Sequence, residues 1–411
     1  MHQVVAPTCP PSATPLASHV IPSLLATWRA GVEGWATYAM LALARGATPL
    51  AMAGDVARWA ALVADRRPPT WSTPHEVVLE TDVARLRDFT QGSEADVVPT
   101  LLVPPQAGHD SCIVDYSAEQ SQVKVIRAAG LERCFSLDWI GASEATKDAG
   151  VGAFLDAVTR AVDHIGVPRV NLIGDCQGGW LATMFAALHP ERVNTLTVAG
   201  APIDFHAGAG VIHSYVDALA QGADMGFYER IVARHGGVLP GAFMLDGFIA
   251  IRPESEVAKQ LQLLVHLDDP VHVQRYGAFE DWFKHTQDLP GAFYLWIVQR
   301  LFRDNELVRG VLEHEGRPVR LDAIACPVAL LAGGKDHITP PPQVFALADH
   351  VATAPEHMVQ RTTRGGHLGL FMGGEALRDH WPPLLAGVLK HSMPGARPAA
   401  ARAAAHSAVP A

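Results

Sequence analysis

The stretch that most constrains the fold is VNLIGDCQGGW, residues 170–180. Four residues of strand character run into Gly174, Asp175, Cys176, Gln177, Gly178 and Gly179, and a helical pattern begins at Trp180. The run reads as a strand, a tight glycine turn and a helix, with Cys176 at the apex. The glycines two residues to either side of Cys176 have a steric reason: bulk there would hold strand and helix apart. Taken alone, the same residues also fit a buried cysteine in a Gly-rich turn.

The chain has 411 residues, 49% hydrophobic and 18% charged, enough for a large core in one big domain or two. A formal net charge of −10 gives no electrostatic footprint for nucleic acid and argues against a strongly basic membrane-binding face. The five cysteines are scattered, odd in number and without a CxxC pair, so neither a disulfide framework nor a zinc site is implied. That usage fits a reducing cytoplasm. Residues 1–17 carry Pro7, Pro10, Pro11 and Pro15 but no basic segment leading into an apolar core, unlike a secretory signal. No apolar run reaches the roughly 18 residues that span a bilayer. The nearest, residues 35–56, contains Arg45 and Asp55. No metal or redox cofactor is implied, and no Gly-rich phosphate loop is present.

Residues 1–17 read as a disordered leader. From 18 to 65, apolar residues such as Leu24, Trp28, Val32, Trp35, Trp59 and Leu62 recur at helical spacing, with a break near 46–49. Two or three helices are expected there, for core packing or an oligomer contact such as a homodimer, with a membrane or polymer-granule surface as the lesser alternative. A Pro-rich linker closes this first segment, 1–75. In 76–204, strands are expected at 77–80, 84–89, 98–103, 134–139, 170–173 and 196–200, with helices at 117–129 and 148–165. Strands alternating with helices imply parallel βαβ units. The alternation stops at 205–310, an aromatic-rich helical stretch that reads as a cap. It resumes over 311–393, with strands at 327–332 and 359–361 and a last helix over 375–390. Residues 394–411 read as a disordered tail. The fold class is α/β: a mostly parallel sheet flanked by helices, with a helical cap insertion and N-terminal helices.

A cysteine is a good nucleophile only as a thiolate, so it needs a base, and the base needs an orienter. In α/β-hydrolases the nucleophile sits on a strand–turn–helix elbow, and the order along the chain is nucleophile, acid, histidine. Asp336 follows the apolar strand and glycine pair of LLAGGKD, and His367 follows the next short strand in GGH. Singly, Asp336 fits a turn cap and His367 a solvated loop residue. With the elbow, they complete a Cys176–His367–Asp336 set. His337 is a second candidate base, or makes a structural hydrogen bond. Acyl transfer also needs backbone N–H groups aimed at a developing oxyanion. One is expected from Gln177, at the N-terminus of the elbow helix. The other should come from the loop PPQAG, residues 104–108. Prolines cannot donate, so Gln106 or Ala107 is the candidate, and Ala107 is chosen. Cys112, Cys134 and Cys326 read as small buried hydrophobes.

These residues resemble a known family. GDCQGG resembles the Gly-x-Cys-x-Gly-Gly box of polyhydroxyalkanoate (polyester) synthases. Asp336-His337-Ile338 with Pro340 resembles their acid motif, and Gly365-Gly366-His367-Leu368-Gly369 their histidine motif. Residues 115–121 through Trp139 are similar to the synthase stretch after the oxyanion strand, and 282–291 with 305–310 to the cap. The similarity covers roughly residues 95–390. The chain departs from the pattern at Phe283-Lys284-His285-Thr286, where many synthases have an Asn- and Asp-containing run, and at the loop 106–110. The resemblance implies an acyltransferase that takes hydroxyacyl groups from CoA thioesters onto Cys176, with His367 as base and Asp336 orienting it. CoA would be part of a substrate, not a cofactor, and the partners would be a small-molecule acyl-CoA or polyester, with granule association. The alternative is a cysteine hydrolase (thioesterase, esterase or polyester depolymerase) using water as acceptor. A non-enzymatic binding module on the same scaffold is a third reading.

Overall fold

The computed structural model describes residues 15–93, 95–208, 210–212, 216 and 225–393. The chain divides into two units, one of residues 1–66 and 246–277, the other of residues 67–245 and 278–411.

The first unit is helical. Helix α1 spans Pro15–Ala44 and α2 spans Pro49–Ala64. The expected break falls between them because Thr48 caps α2, its side chain accepting the Ala51 N–H, with Pro49 pre-set for the first turn. Tyr38 and Ala42 of α1 pack with Leu261, Leu263, Leu264, Leu267 and Tyr276, which come from the helix Pro253–Val265 and the residues after it. The stretch 205–310, expected as one cap, is thus divided. Residues 246–277 share an apolar cluster with the N-terminal helices and belong to their unit. On α1, Leu24 and Trp28 are exposed (64% and 69%), so helical spacing there does not mark a core. Of the expected leader, Pro15, Leu16 and Ala17 begin α1, and the rest lies outside the described residues, as does the expected tail 394–411.

The second unit is built on an eight-stranded sheet. Its strands are β1 (Glu76–Glu80), β2 (Ala84–Asp88), β3 (Thr100–Val103), β4 (Cys134–Trp139), β5 (Val170–Asp175), β6 (Val193–Ala199), β7 (Val328–Gly333) and β8 (Met358–Thr363). The spatial order is β1-β2-β4-β3-β5-β6-β7-β8. β2 runs antiparallel to both neighbours, and all other pairs are parallel. Parallel neighbours require crossovers, and these place helices on both faces. Successive strand residues point to opposite sides. Leu172 of β5 therefore joins the cluster with α4 (Val151–Ile165) and α5 (Gln177–Leu188), built on Phe154, Val158, Trp180 and Phe185. Ile173 joins the cluster with α3 (Gln122–Ala128) and α6 (Trp381–Ser392), built on Ile126, Trp381 and Leu385.

Two helix boundaries differ from the expectations for physical reasons. The helix expected over 117–129 starts only at Gln122, because the Ser121 side chain caps it by accepting the Lys124 N–H. The same hydroxyl donates to buried Asp115, which also accepts from Ser72 and twice from Thr73. The last helix opens with a π turn, Ala376–His380, before α6 begins at Trp381 with prolines in its first turn. No helix among the described residues is long and apolar enough to cross a membrane.

Candidate active site

β5 ends at Asp175, and α5 begins at Gln177. Cys176 between them has φ 50° and ψ −121°, a left-handed conformation that a side chain rarely adopts. Its surroundings fix it there. The Cys176 N–H donates to the Ala199 carbonyl (2.8 Å), and its own carbonyl accepts the Gly179 N–H (2.9 Å). The glycines on either side are sterically required. A Cβ on Gly174 would stand 2.6 Å from the Gly178 carbonyl oxygen, and one on Gly178 would stand 1.9 Å from that of Val103. Strand, helix and the end of β3 close on the apex, and the thiol remains half-buried.

Asp336 and His367 arrive at the same edge from the ends of β7 and β8. The two loops are tied together: Gly334 N–H donates to Thr363 O (2.9 Å) and Lys335 N–H to Gly365 O (3.0 Å). His367 Nδ1 lies 2.7 Å from Asp336 Oδ2. The other carboxylate oxygen accepts the N–H groups of Ile338 and Thr339, both at 2.9 Å. Cys176 is the other side chain acting on His367. Acid and imidazole thus form a hydrogen-bonded pair beside the thiol, with the Phe371 ring near-perpendicular to the imidazole at 5.5 Å. Burial works against a charge on His367, but the Asp336 carboxylate and Cys176 outweigh it and hold its pKa well above the ordinary histidine value. His337 is half-buried beside Asp336, with its carbonyl accepting the Val211 N–H (2.9 Å).

The other three described cysteines sit in different settings. Burial pushes the thiols of Cys112 and Cys134 up, and that of Cys326 up to about 12, so all three stay protonated.

Gln177 is the first residue of α5, so its N–H has no acceptor within the helix and can face an anion. The loop after β3 crosses the start of α5 at Gly178. Trp139 Nε1 donates to Pro104 O (2.8 Å) and pins its first turn. Further along, Gln106 is buried and Ala107 half-buried. The loop is then laced to residues 282–287. Gln287 N–H donates to Gly108 O (2.9 Å), and Trp282 Nε1 donates to Asp110 O (2.8 Å). The His109 ring stacks on Phe283 (5.6 Å, 10°) and packs on Trp282 (5.0 Å), with Nε2 3.1 Å from the Phe283 carbonyl. Burial pushes the pKa of His109 down to about 4, so the ring is neutral near pH 7. The two stretches that depart from the synthase pattern therefore face each other. Sequence reading missed His109, because its partners lie 174 residues away and no local pattern announces them.

An eight-stranded sheet of this order, with β2 reversed and a strand–turn–helix elbow after the central β5, defines an α/β-hydrolase fold, here with cysteine at the apex. Within that class, the chain belongs to the family described as "Protein of unknown function (DUF3141)", which matches residues 83–387. It is similar to the poly(3-hydroxyalkanoate) polymerase subunit PhaC of Haloarcula marismortui, with 28% identity over 324 residues, covering 75% of this chain and 66% of that protein. It thus spans just under two thirds of that relative's length. The subunit of the same name from Allochromatium vinosum is 26% identical over 77% of this chain and 88% of its own. Among solved structures, a thermophilic esterase from Thermogutta terrifontis shares 18% identity over 79% of this chain and 100% of that one, at a TM-score of 0.44.

Proposed function

We propose that this chain is an acyltransferase of the polyhydroxyalkanoate-synthase type, carrying a hydroxyacyl group on Cys176 between a CoA thioester and a hydroxyl acceptor. The observation that carries the reading is the His367–Asp336 hydrogen bond, with Cys176 acting on the same imidazole from the apex of a strained elbow. The likeness to polymerase subunits supports the choice of substrate class.

His367 takes the thiol proton, and the sulfur attacks the thioester carbonyl. The oxyanion of the tetrahedral intermediate is held by the N–H of Gln177 and one from the loop after β3, with Ala107 proposed as the second donor. The CoA thiolate leaves with a proton from His367, and the acyl group remains on Cys176. An incoming hydroxyl then gives its proton to His367 and attacks the acyl-enzyme, forming an ester and restoring the thiol. Asp336 keeps the imidazole in one tautomer and stabilises its charged form. A thiol suits this work, because exchange between two thioesters is close to balanced and leaves the acyl group reactive. CoA enters as part of the substrate.

Incubation with 3-hydroxybutyryl-CoA tests the reading through free CoA, soluble acid and ester-linked product. Release of CoA with formation of ester-linked oligomer or polymer is expected. CoA release with only free 3-hydroxybutyrate would make the chain a hydrolase on the same residues. No CoA release from this or longer hydroxyacyl thioesters would contradict both.

A further inference from the structure

Next to the apex, Asp175 is fully buried and has no step in the acyl transfer. Among the described residues, its carboxyl group takes a hydrogen bond from the side chain of Gln122, the first residue of α3, which is also fully buried. Gln122 Nε2 donates to Asp175 Oδ1 at 3.4 Å. The other two atoms of the pair, Asp175 Oδ2 and Gln122 Oε1, have no partner among the described residues. With Asp175 ionised, both would be acceptors without a donor among the described residues. That is a costly arrangement, because a buried carboxylate needs several donors or a cation.

Among the described residues, no lysine or arginine is bonded to the Asp175 carboxyl group. Across the sheet, Asp175 is opposite Ala199 of β6, and the neighbouring Gly174 is opposite Val103 of β3. On α3, Lys124 reaches the Ala118 carbonyl, and Arg127 acts on Cys134. Asp115 is occupied by Ser121, Ser72 and Thr73. Among the described residues, the ionisable group acting on Asp175 is His367, whose own hydrogen bond goes to Asp336.

A single proton on Oδ2 resolves both unpartnered atoms. A carboxylic acid and a primary amide form a closed ring of two parallel hydrogen bonds, N–H to C=O in one direction and O–H to C=O in the other. We propose that Asp175 is a neutral carboxylic acid at neutral pH, paired with Gln122 by two hydrogen bonds, and that it is a positioning residue tying the elbow to α3 without a negative charge behind Cys176. Burial pushes its pKa up to about 8, against the pull of Gln122 and His367, so ionisation begins just above neutrality. Once ionised, Asp175 adds a negative charge beside His367 and holds the imidazolium to higher pH.

The inference rests on the proposed role of Cys176 only for its consequence. Its tests need no substrate, so they fail separately from acyl transfer. Infrared difference spectra of the full protein should show, at pH 7, the C=O band of a protonated carboxyl group. The band should disappear with a midpoint near 8 and be missing in Asp175→Asn. A band unchanged in Asp175→Asn, or none at pH 7, overturns the proposal. If Asp175→Asn does not fold, Gln122→Leu carries the test: the band must move to the higher frequency of an acid with a free C=O, and an unmoved band overturns the pairing. The charge effect is read from the titration of His367 by NMR, assigned with His367→Ala. Its midpoint should lie higher in the wild type than in Asp175→Asn. Equal midpoints would leave Asp175 a purely structural residue and overturn its action on the site.

Discussion

His367 Nδ1 and Asp336 Oδ2 stand 2.7 Å apart, 31 residues distant in sequence, and Asp336 is held by two backbone N–H groups on its other oxygen. The carboxylate cannot turn away from the imidazole without giving up those bonds. The orientation of His367 toward Cys176 is thus set by a short turn after β7, not by the mobile end of a long side chain.

Asp336→Asn keeps the size of the side chain and an acceptor for Ile338 and Thr339, but it removes the charge and favours the wrong tautomer of His367. Acyl-transfer turnover should fall by about 10⁴-fold, as for the same change in other triads. Steady-state kinetics on the folded variant check this, and a loss under tenfold would show that Asp336 does not orient the base.

The pH dependence of stability follows from the same pair. The folded pKa of His367 is raised well above its unfolded value of about 6.5. Its contribution is therefore fully present below about pH 6.5 and lost as pH rises through the folded pKa. Thermal midpoints of the wild type should fall across that range, and those of His367→Gln should fall less. Parallel curves for the two proteins would contradict the assignment.

Gly178→Ala places a methyl group 1.9 Å from the Val103 carbonyl oxygen, at the fixed end of a central strand. The backbone has to move, at a cost of about 1–3 kcal/mol or more. Urea unfolding measures it, and an unchanged midpoint would show that the loop after β3 does not cross the elbow as described.

Much of this was legible in the sequence because its causes are local. β4 falls at the residues where apolar and polar side chains alternate from Phe135 to Trp139, and the elbow follows from two glycines around one cysteine. Chain order placed Asp336 and His367 at strand ends because topology fixes which loops share a sheet edge. What the sequence did not reveal depends on contacts distant along the chain. The stretch 205–310, read as one helical cap, gave no sign that 246–277 would share a cluster with Tyr38 and Ala42. The lacing of His109 to Phe283 and the facing of Asp175 and Gln122 are likewise visible only once the strands are assembled. Helix starts failed at Gln122 because a serine already engaged with Asp115 was also the cap.

Trp139→Phe keeps the ring in the core but removes the N–H that the Pro104 carbonyl accepts. Leaving a buried acceptor unpaired costs about 1–3 kcal/mol. Because that carbonyl begins the proposed oxyanion loop, kcat should also fall, with KM for the acyl-CoA changed less. Thermal unfolding and kinetics together check the two effects, and a stability loss with unaltered kcat would separate the loop from the chemistry.

The central claim is that Cys176 carries the acyl group. Rapid acid quench with a radiolabelled 3-hydroxyacyl-CoA, followed by peptide mass spectrometry, tests it most directly. The expected result is a thioester-linked hydroxyacyl adduct on the peptide containing Cys176, absent in Cys176→Ala, with turnover of that variant reduced by at least about 10³-fold. Full turnover by Cys176→Ala, or an adduct only on another residue, would contradict it.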